Sequence, residues 1–277
     1  MKTIKKEHYI LTYLQKGDTT KTPIMVLGSA IYYPKLFQDS IFESLHLIFA
    51  THIGFSKVDP EKSPHTLANV VEDIELIRKE LNIDSMYLLG HSGHGFMAMA
   101  YAETYPQYVE GVILSNLAPT NQKQRQDQSI VYFEETASPE RKAYFYNEIA
   151  KLEEDIKNEP DKRFSSMNIR MQAHSFYDFT YDGAYLWDDL PNNMPALDYL
   201  WGEAFAEYDT DNFFKQWKKP VILLLSDYDY LVAPTSLWDE YSHQYNVPVV
   251  KFDKSGHNPM LEEPKAYFDA LLDFITH

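Results

Sequence analysis

Ser92 lies in Leu88-Leu89-Gly90-His91-Ser92-Gly93-His94-Gly95, between an apolar run and the apolar stretch Phe96 to Ala102. On a tight strand-to-helix turn a serine points Oγ out of the sheet, and the next backbone N–H, that of Gly93, faces the same space. Gly90 and Gly95 supply the small neighbours that let the strand and helix backbones approach. The pattern G-x-S-x-G is met only in part, because His94 stands where a small residue is usual. The bland alternative is a glycine-rich turn carrying a solvent-facing serine.

A hydroxyl becomes a useful nucleophile only when a base takes its proton and a third group orients that base. His257, in Lys254-Ser255-Gly256-His257-Asn258-Pro259, follows the final apolar run and is the candidate base. Asp229, just past Val221 to Ser226, is the candidate carboxylate, with Asp227 as its main rival and Asp253 a weaker one. The order Ser, Asp, His along the chain is one of the orders in which such triads occur. His91 and His94 flank the serine and are assigned no base role. A second oxyanion donor is expected from the loop Leu27-Gly28-Ser29-Ala30, with the Ser29 N–H preferred to that of Ala30.

These residues need a scaffold. Pro23–Gly28, His46–Ala50, Met86–Leu89, Val112–Ser115, Val221–Ser226 and Val247–Phe252 are short apolar runs of the length expected for buried parallel strands. Pro248 suits an edge position for the last. Leu67, Val70, Val71, Ile74, Ile77 and Leu81 recur at helical spacing, with Ser63-Pro64 as the expected start. Strand, helix, strand in this order implies an α/β architecture with parallel pairing.

Residues 121 to 217 read differently, with 19 aromatic residues, 19 acids and 10 bases, a net formal charge of −9. They are expected to form a mostly helical insertion, with helices near Met167–Phe179 and Ala196–Phe205. Trp187, Trp201 and Trp217 and the acids of the insertion could line an electronegative pocket suited to an amine, although aromatics more often pack helices onto a core and acids more often face water.

The whole chain of 277 residues carries a net charge of −16, which disfavours nucleic acid and anionic membranes as partners. It has no cysteine, so thiolate chemistry and disulfides are excluded. No apolar stretch reads as a signal peptide or a membrane span, and a cytoplasmic location is expected. A small-molecule or short-peptide substrate is expected; a homo-oligomer stays open.

On the stretch from Val70 through GHSGHG to Ala100-Tyr101-Ala102-Glu103-Thr104-Tyr105-Pro106, and on Gly256-His257 with Glu263-Pro264, the chain resembles the lid-bearing serine hydrolases of the α/β-hydrolase superfamily. The resemblance implies an eight-stranded, mostly parallel sheet, no cofactor and a lid after the sixth strand, which makes residues 120–217 a helical lid on a core of residues 1–119 and 218–277. It is loosest at Leu27-Gly28, where the family has His-Gly, and at His94. Three functions are carried forward: a carboxylic-ester hydrolase, an aminopeptidase similar to the proline iminopeptidases, and a ligand sensor built on the same fold.

Overall fold

The computed structural model describes residues 1–58 and 65–276. Eight strands form one sheet: β1 (Lys2–Lys5), β2 (Ile10–Gly17), β3 (Pro23–Gly28), β4 (His46–Thr51), β5 (Met86–His91), β6 (Val109–Ser115), β7 (Val221–Ser226) and β8 (Val249–Phe252). Their order is β1-β2-β4-β3-β5-β6-β7-β8. β2 pairs antiparallel with β1 and β4, and every other neighbour pair is parallel.

All six apolar runs become strands. β6 begins three residues before the expected Val112 and takes in the exposed Glu110. β8 begins after Pro248 and lies at the sheet edge, where a missing N–H costs no ladder bond. β1 and β2 escape a search for continuous apolar runs because only alternate residues of β2, Leu11 and Tyr13, are fully buried.

Side chains alternate across the sheet, so β5 sends Met86 and Leu88 into one core and Leu89 into the other. The first core receives Val70, Val71, Ile74 and Ile77 from the helix Leu67–Glu80. The second receives Tyr267 and Leu271 from the helix Pro264–Thr276. With both faces covered, parallel strands can be apolar throughout. Ser63-Pro64 lies outside the described residues; the helix opens at Leu67, capped by Thr66, whose Oγ1 accepts the Asn69 N–H at 3.2 Å.

Between β6 and β7 the described chain is helical and contains no strand. The expected helix Met167–Phe179 is instead two helices, Arg163–Arg170 and Gln172–Ser175, broken at Met171. The buried Arg141 explains its early end, because its guanidinium takes the carbonyls of Ala173, Phe176 and Tyr177 at 2.7 to 2.8 Å. The second expected helix begins at Met194 and runs to Glu207 through a π-helical turn, Leu200–Ala204.

β3 has β4 on one side and β5 on the other. The strand order therefore reverses between β3 and β5, and a crevice opens at their carboxyl ends, the usual ligand position in open α/β sheets. Ser29 follows β3 and Ser92 follows β5 at this point, while Asp229 and His257 lie beyond the same ends of β7 and β8.

The turn at Ser92 depends on Gly90. A Cβ there would stand 2.4 Å from Gly95 Cα and 2.6 Å from the His94 carbonyl oxygen, both backbone atoms that cannot swing aside. Gly90→Ala is expected to cost about 1–3 kcal/mol, the range for overpacking. Urea unfolding should show this as a lower midpoint at unchanged slope; an unchanged midpoint would mean the contact relaxes freely.

Candidate active site

Ser92 has φ 57°, the left-handed conformation that a serine adopts only when its surroundings enforce it. Its N–H donates to the Ser115 carbonyl and its carbonyl accepts the Gly95 N–H, each at 2.9 Å, so β6 and the helix His94–Thr104 hold it from both sides. Ser92 and Gly93 line a cavity of about 560 Å³ whose wall includes Ile130, Met167 and Trp201 of the helical insertion. Trp201 and Phe205 cover Gly93 so closely that a Cβ there would meet both rings within 3.1 Å. Among the described residues Ser92 Oγ has no hydrogen-bond partner.

His257 and Asp229 are brought together. His257 Nδ1 lies 2.7 Å from Asp229 Oδ2, and both residues are buried. Asp229 also accepts the Leu231 N–H on Oδ1 at 3.1 Å and Asn116 Nδ2 on Oδ2 at 2.9 Å. A carboxylate with these donors is an acceptor only, so Nδ1 donates to it, and in the neutral tautomer Nε2 is the acceptor. The rivals Asp227 and Asp253 are exposed and take no part.

Asn116 was not singled out in the sequence. It follows β6 directly, is wholly buried at φ 46°, and joins Asp229 to the Gly256 carbonyl, 3.2 Å from Nδ2. The usable signal was an asparagine, tolerant of left-handed backbone, immediately after a buried strand.

The two candidate oxyanion donors part company with the runner-up. The Ala30 N–H is committed to Thr51 Oγ1 at 2.8 Å. The Ser29 and Gly93 amides donate to no protein acceptor among the described residues. Gly93 faces the cavity, whereas Ser29 is wholly buried, and its Oγ accepts the N–H groups of Ile31 and Tyr32.

His94, the departure from the usual elbow, has a definite place. The Gly54 N–H donates to His52 Nδ1 at 3.0 Å, which leaves the His52 proton on Nε2, 3.2 Å from His94 Nε2. His94 must then be protonated on Nδ1, which faces Tyr33 Oη at 2.8 Å and the His91 carbonyl at 3.0 Å. At the far end His91 Nε2 can only donate to the His257 carbonyl, at 2.6 Å, so His91 Nδ1 accepts from Tyr33 Oη at 3.1 Å. Both ends fix the same direction, and the chain closes with every imidazole neutral. Burial holds His52 and His91 well below the ordinary imidazole range and lowers His94 to about 4.

The loop of His257 is clamped from several directions. Its own N–H donates to the Ser175 carbonyl of the insertion at 2.7 Å, Glu262 accepts the Gly256 N–H at 2.8 Å, and Glu263 accepts the Lys254 N–H and Ser255 Oγ. Gly256 is required here, since a Cβ would stand 2.5 Å from the Ser175 carbonyl oxygen.

Of the insertion's three tryptophans, Trp201 lines the cavity; Trp187 packs on Tyr32 and Phe164, and Trp217 stacks on Phe213. The acids expected to line an electronegative pocket mostly do not: Asp198 is the one carboxylate on the described wall, and it is paired with Arg163 at 2.6 Å.

Imidazoles whose folded basicity is depressed bind fewer protons than they do in the unfolded chain, whose value is near 6.5. Stability therefore rises with pH between about 4 and 6.5 and is lost as pH falls through that window. His94→Gln removes one such group and should flatten the slope by up to about 1.4 kcal/mol per pH unit. Urea unfolding of both proteins at several pH values checks this; parallel curves would show that His94 already titrates freely in the fold.

The comparisons with known proteins agree with the geometry. The sequence profile of the alpha/beta hydrolase fold matches residues 33–264. An AB hydrolase superfamily protein of Bacillus subtilis (strain 168) is 46% identical over 260 residues, covering 93% of this chain and 92% of its own. A proline iminopeptidase of Heyndrickxia coagulans is 24% identical over 92% of this chain and 91% of its own. Among solved structures, an esterase from Exiguobacterium antarcticum superposes with a TM-score of 0.70 at 15% identity, over 97% of this chain and 96% of that one. With the left-handed serine after β5, the paired histidine and aspartate after β8 and β7, and this match across most of its length, the chain belongs to the α/β-hydrolase family.

Proposed function

We propose that the protein hydrolyses a carboxylic ester of a small molecule through an acyl-enzyme, with Ser92 as nucleophile, His257 as general base and Asp229 as the carboxylate that orients it. The observation that carries this reading is the His257–Asp229 hydrogen bond, which in the neutral imidazole takes the Nδ1 proton and leaves Nε2 to accept, at the same sheet end as a serine facing a cavity. In the reaction Ser92 Oγ attacks the carbonyl while His257 Nε2 takes its proton. The N–H groups of Ser29 and Gly93 receive the negative charge of the tetrahedral intermediate, and the proton returns to the leaving alcohol. Water, activated by the same imidazole, then releases the acid. Catalytic hydrogen bonds often tighten only with substrate present, which accommodates the unpartnered Ser92 Oγ.

Residues 120–217 act in this reading as a lid, with Trp201 on the wall over the nucleophile. An ester substrate is favoured over a free N-terminal amine because the wall carries the cation Arg125 and only one carboxylate, already paired. The aminopeptidase reading draws its support from relatives named proline iminopeptidase.

Side-by-side assays of wild type and Ser92→Ala with p-nitrophenyl butyrate and proline p-nitroanilide, together with fluorophosphonate labelling, test the assignment. Wild type should label and turn over the ester; Ser92→Ala should lose the label and at least roughly 10³-fold in kcat. Turnover of the anilide alone would replace esterase by aminopeptidase, and a folded wild type that neither labels nor turns over would remove the enzyme reading. Asp229→Asn should retain fluorophosphonate reactivity only weakly and lower kcat by up to about 10⁴-fold, as expected for a wrongly held tautomer.

A further inference from the structure

Arg125 lies in the helix Lys123–Thr136 and is almost fully buried, yet it lines the same cavity as Ser92. A guanidinium has five N–H donors. Four are used: Nε to the Thr120 carbonyl at 3.1 Å, Nη1 to Ser129 Oγ at 3.3 Å and the Leu231 carbonyl at 2.9 Å, and Nη2 to Asn121 Oδ1 at 2.6 Å. Every one of these acceptors is neutral. One Nη2 N–H remains, and no carboxylate forms an ion pair with the group among the described residues.

Burying a cation without an ion-paired partner is costly, and a structural clasp alone does not require that it face a cavity. Arg141 shows the difference. It too is buried and bonded to carbonyls, but it is packed against the rings of Phe179, Tyr228 and Tyr230 and does not itself line the cavity. Around Arg125 the wall offers no other charge that could answer it. Asp198 belongs to Arg163, and His174 is kept neutral by burial, which lowers it to about 3. The carboxylate whose field reaches Arg125 is Asp229, already bonded to His257, Asn116 and the Leu231 amide.

We infer that Arg125 is the specificity-determining residue of this cavity and that the substrate carries an anionic group, a carboxylate on the part of the molecule that fills the insertion side of the pocket. This rests on the reading of the cavity as an ester-hydrolase site. A carboxylate supplies the missing counter-charge through the free Nη2 N–H, while the apolar wall formed by Met167, Met171 and Leu197 accommodates a short methylene chain between it and the reacting carbonyl. An amine at the same place would meet a like charge.

Mono-p-nitrophenyl adipate and p-nitrophenyl hexanoate have acyl chains of equal length and differ in one terminal carboxylate. Wild type is expected to favour the adipate by roughly tenfold or more in kcat/KM, chiefly through KM. Arg125→Gln should erase that preference, and Arg125→Lys should retain part of it because the charge survives. Equal or faster turnover of hexanoate by wild type overturns the inference without need of any variant, as does an adipate-to-hexanoate ratio unchanged in a folded Arg125→Gln. Adipate binding to Ser92→Ala, followed by Trp201 fluorescence, separates the two levels. Binding lost on adding Arg125→Gln supports the anion site even if no ester is turned over. Absence of binding to a folded Ser92→Ala, together with ester turnover blind to charge, leaves the hydrolase standing and the anion site refuted.

Discussion

Everything at this site depends on one backbone constraint, the left-handed turn at Ser92. It exists because the end of β5 and the start of the helix His94–Thr104 come into direct backbone contact at Gly90 and Gly95, with no room for a Cβ between them. A non-glycine residue at positive φ costs about 1–3 kcal/mol, and such strain persists only where its surroundings over-determine it. Here the Ser115 carbonyl on one side and the Gly95 amide on the other do so. The sheet is thus part of the serine's geometry: parallel pairing of β5 with β6 puts Ser115 opposite His91 and sets the height at which Ser92 emerges.

The histidine is positioned by a different principle. Its loop has no regular secondary structure, and its shape comes from side chains and carbonyls that collect its N–H groups: Glu262, Glu263 and the Ser175 carbonyl. The last belongs to the insertion, so the segment that lines much of the cavity also holds the backbone of the candidate base. On the opposite side the His91 ring lies 4.5 Å from the His257 ring and donates to its carbonyl. The residue before Ser92 thereby holds the His257 loop from the sheet side.

How legible this was in sequence follows from what each feature rests on. Strands β3 to β8 read as apolar runs, all but the half-exposed edge strand β8 being buried on both faces, and Ser92, Asp229 and His257 could be placed because each follows such a run. Periodicity of that kind carries no trace of β1, whose four residues include two lysines. The helices of the insertion were expected, but the early end at Ser175 was not, since Arg141 imposes it from elsewhere in the chain. Arg125 and the chain from His52 through Tyr33 to His91 were out of reach for the same reason, and the partners of Asn116 were too, although its type and place after β6 were a usable signal. Their significance lies in partners 40 to 120 positions away, which only the folded sheet brings together.

Electrostatics explain why the three imidazoles of His52, His91 and His94 lead up to His257 as neutral rings. If His257 becomes an imidazolium during turnover, a charge on His91, a ring 4.5 Å away, would oppose it. Two like charges about 4 Å apart interact by about 4 kcal/mol at the effective dielectric of a protein site, while 1.36 kcal/mol is a factor of ten in rate. A protonated His91 would therefore remove nearly three orders of magnitude, far more than any single hydrogen bond of the chain contributes. The neutral arrangement avoids this and still uses every ring nitrogen of His52, His91 and His94. Tyr33 is what makes it work: one hydroxyl accepts from His94 and donates to His91, so the direction of donation carries through without a second proton. His94 at the elbow is thus compatible with catalysis because it is held neutral, and Gly28 leaves the space its ring occupies, since a Cβ there would stand 2.9 Å from His94 Cε1 and 2.3 Å from the Tyr33 ring.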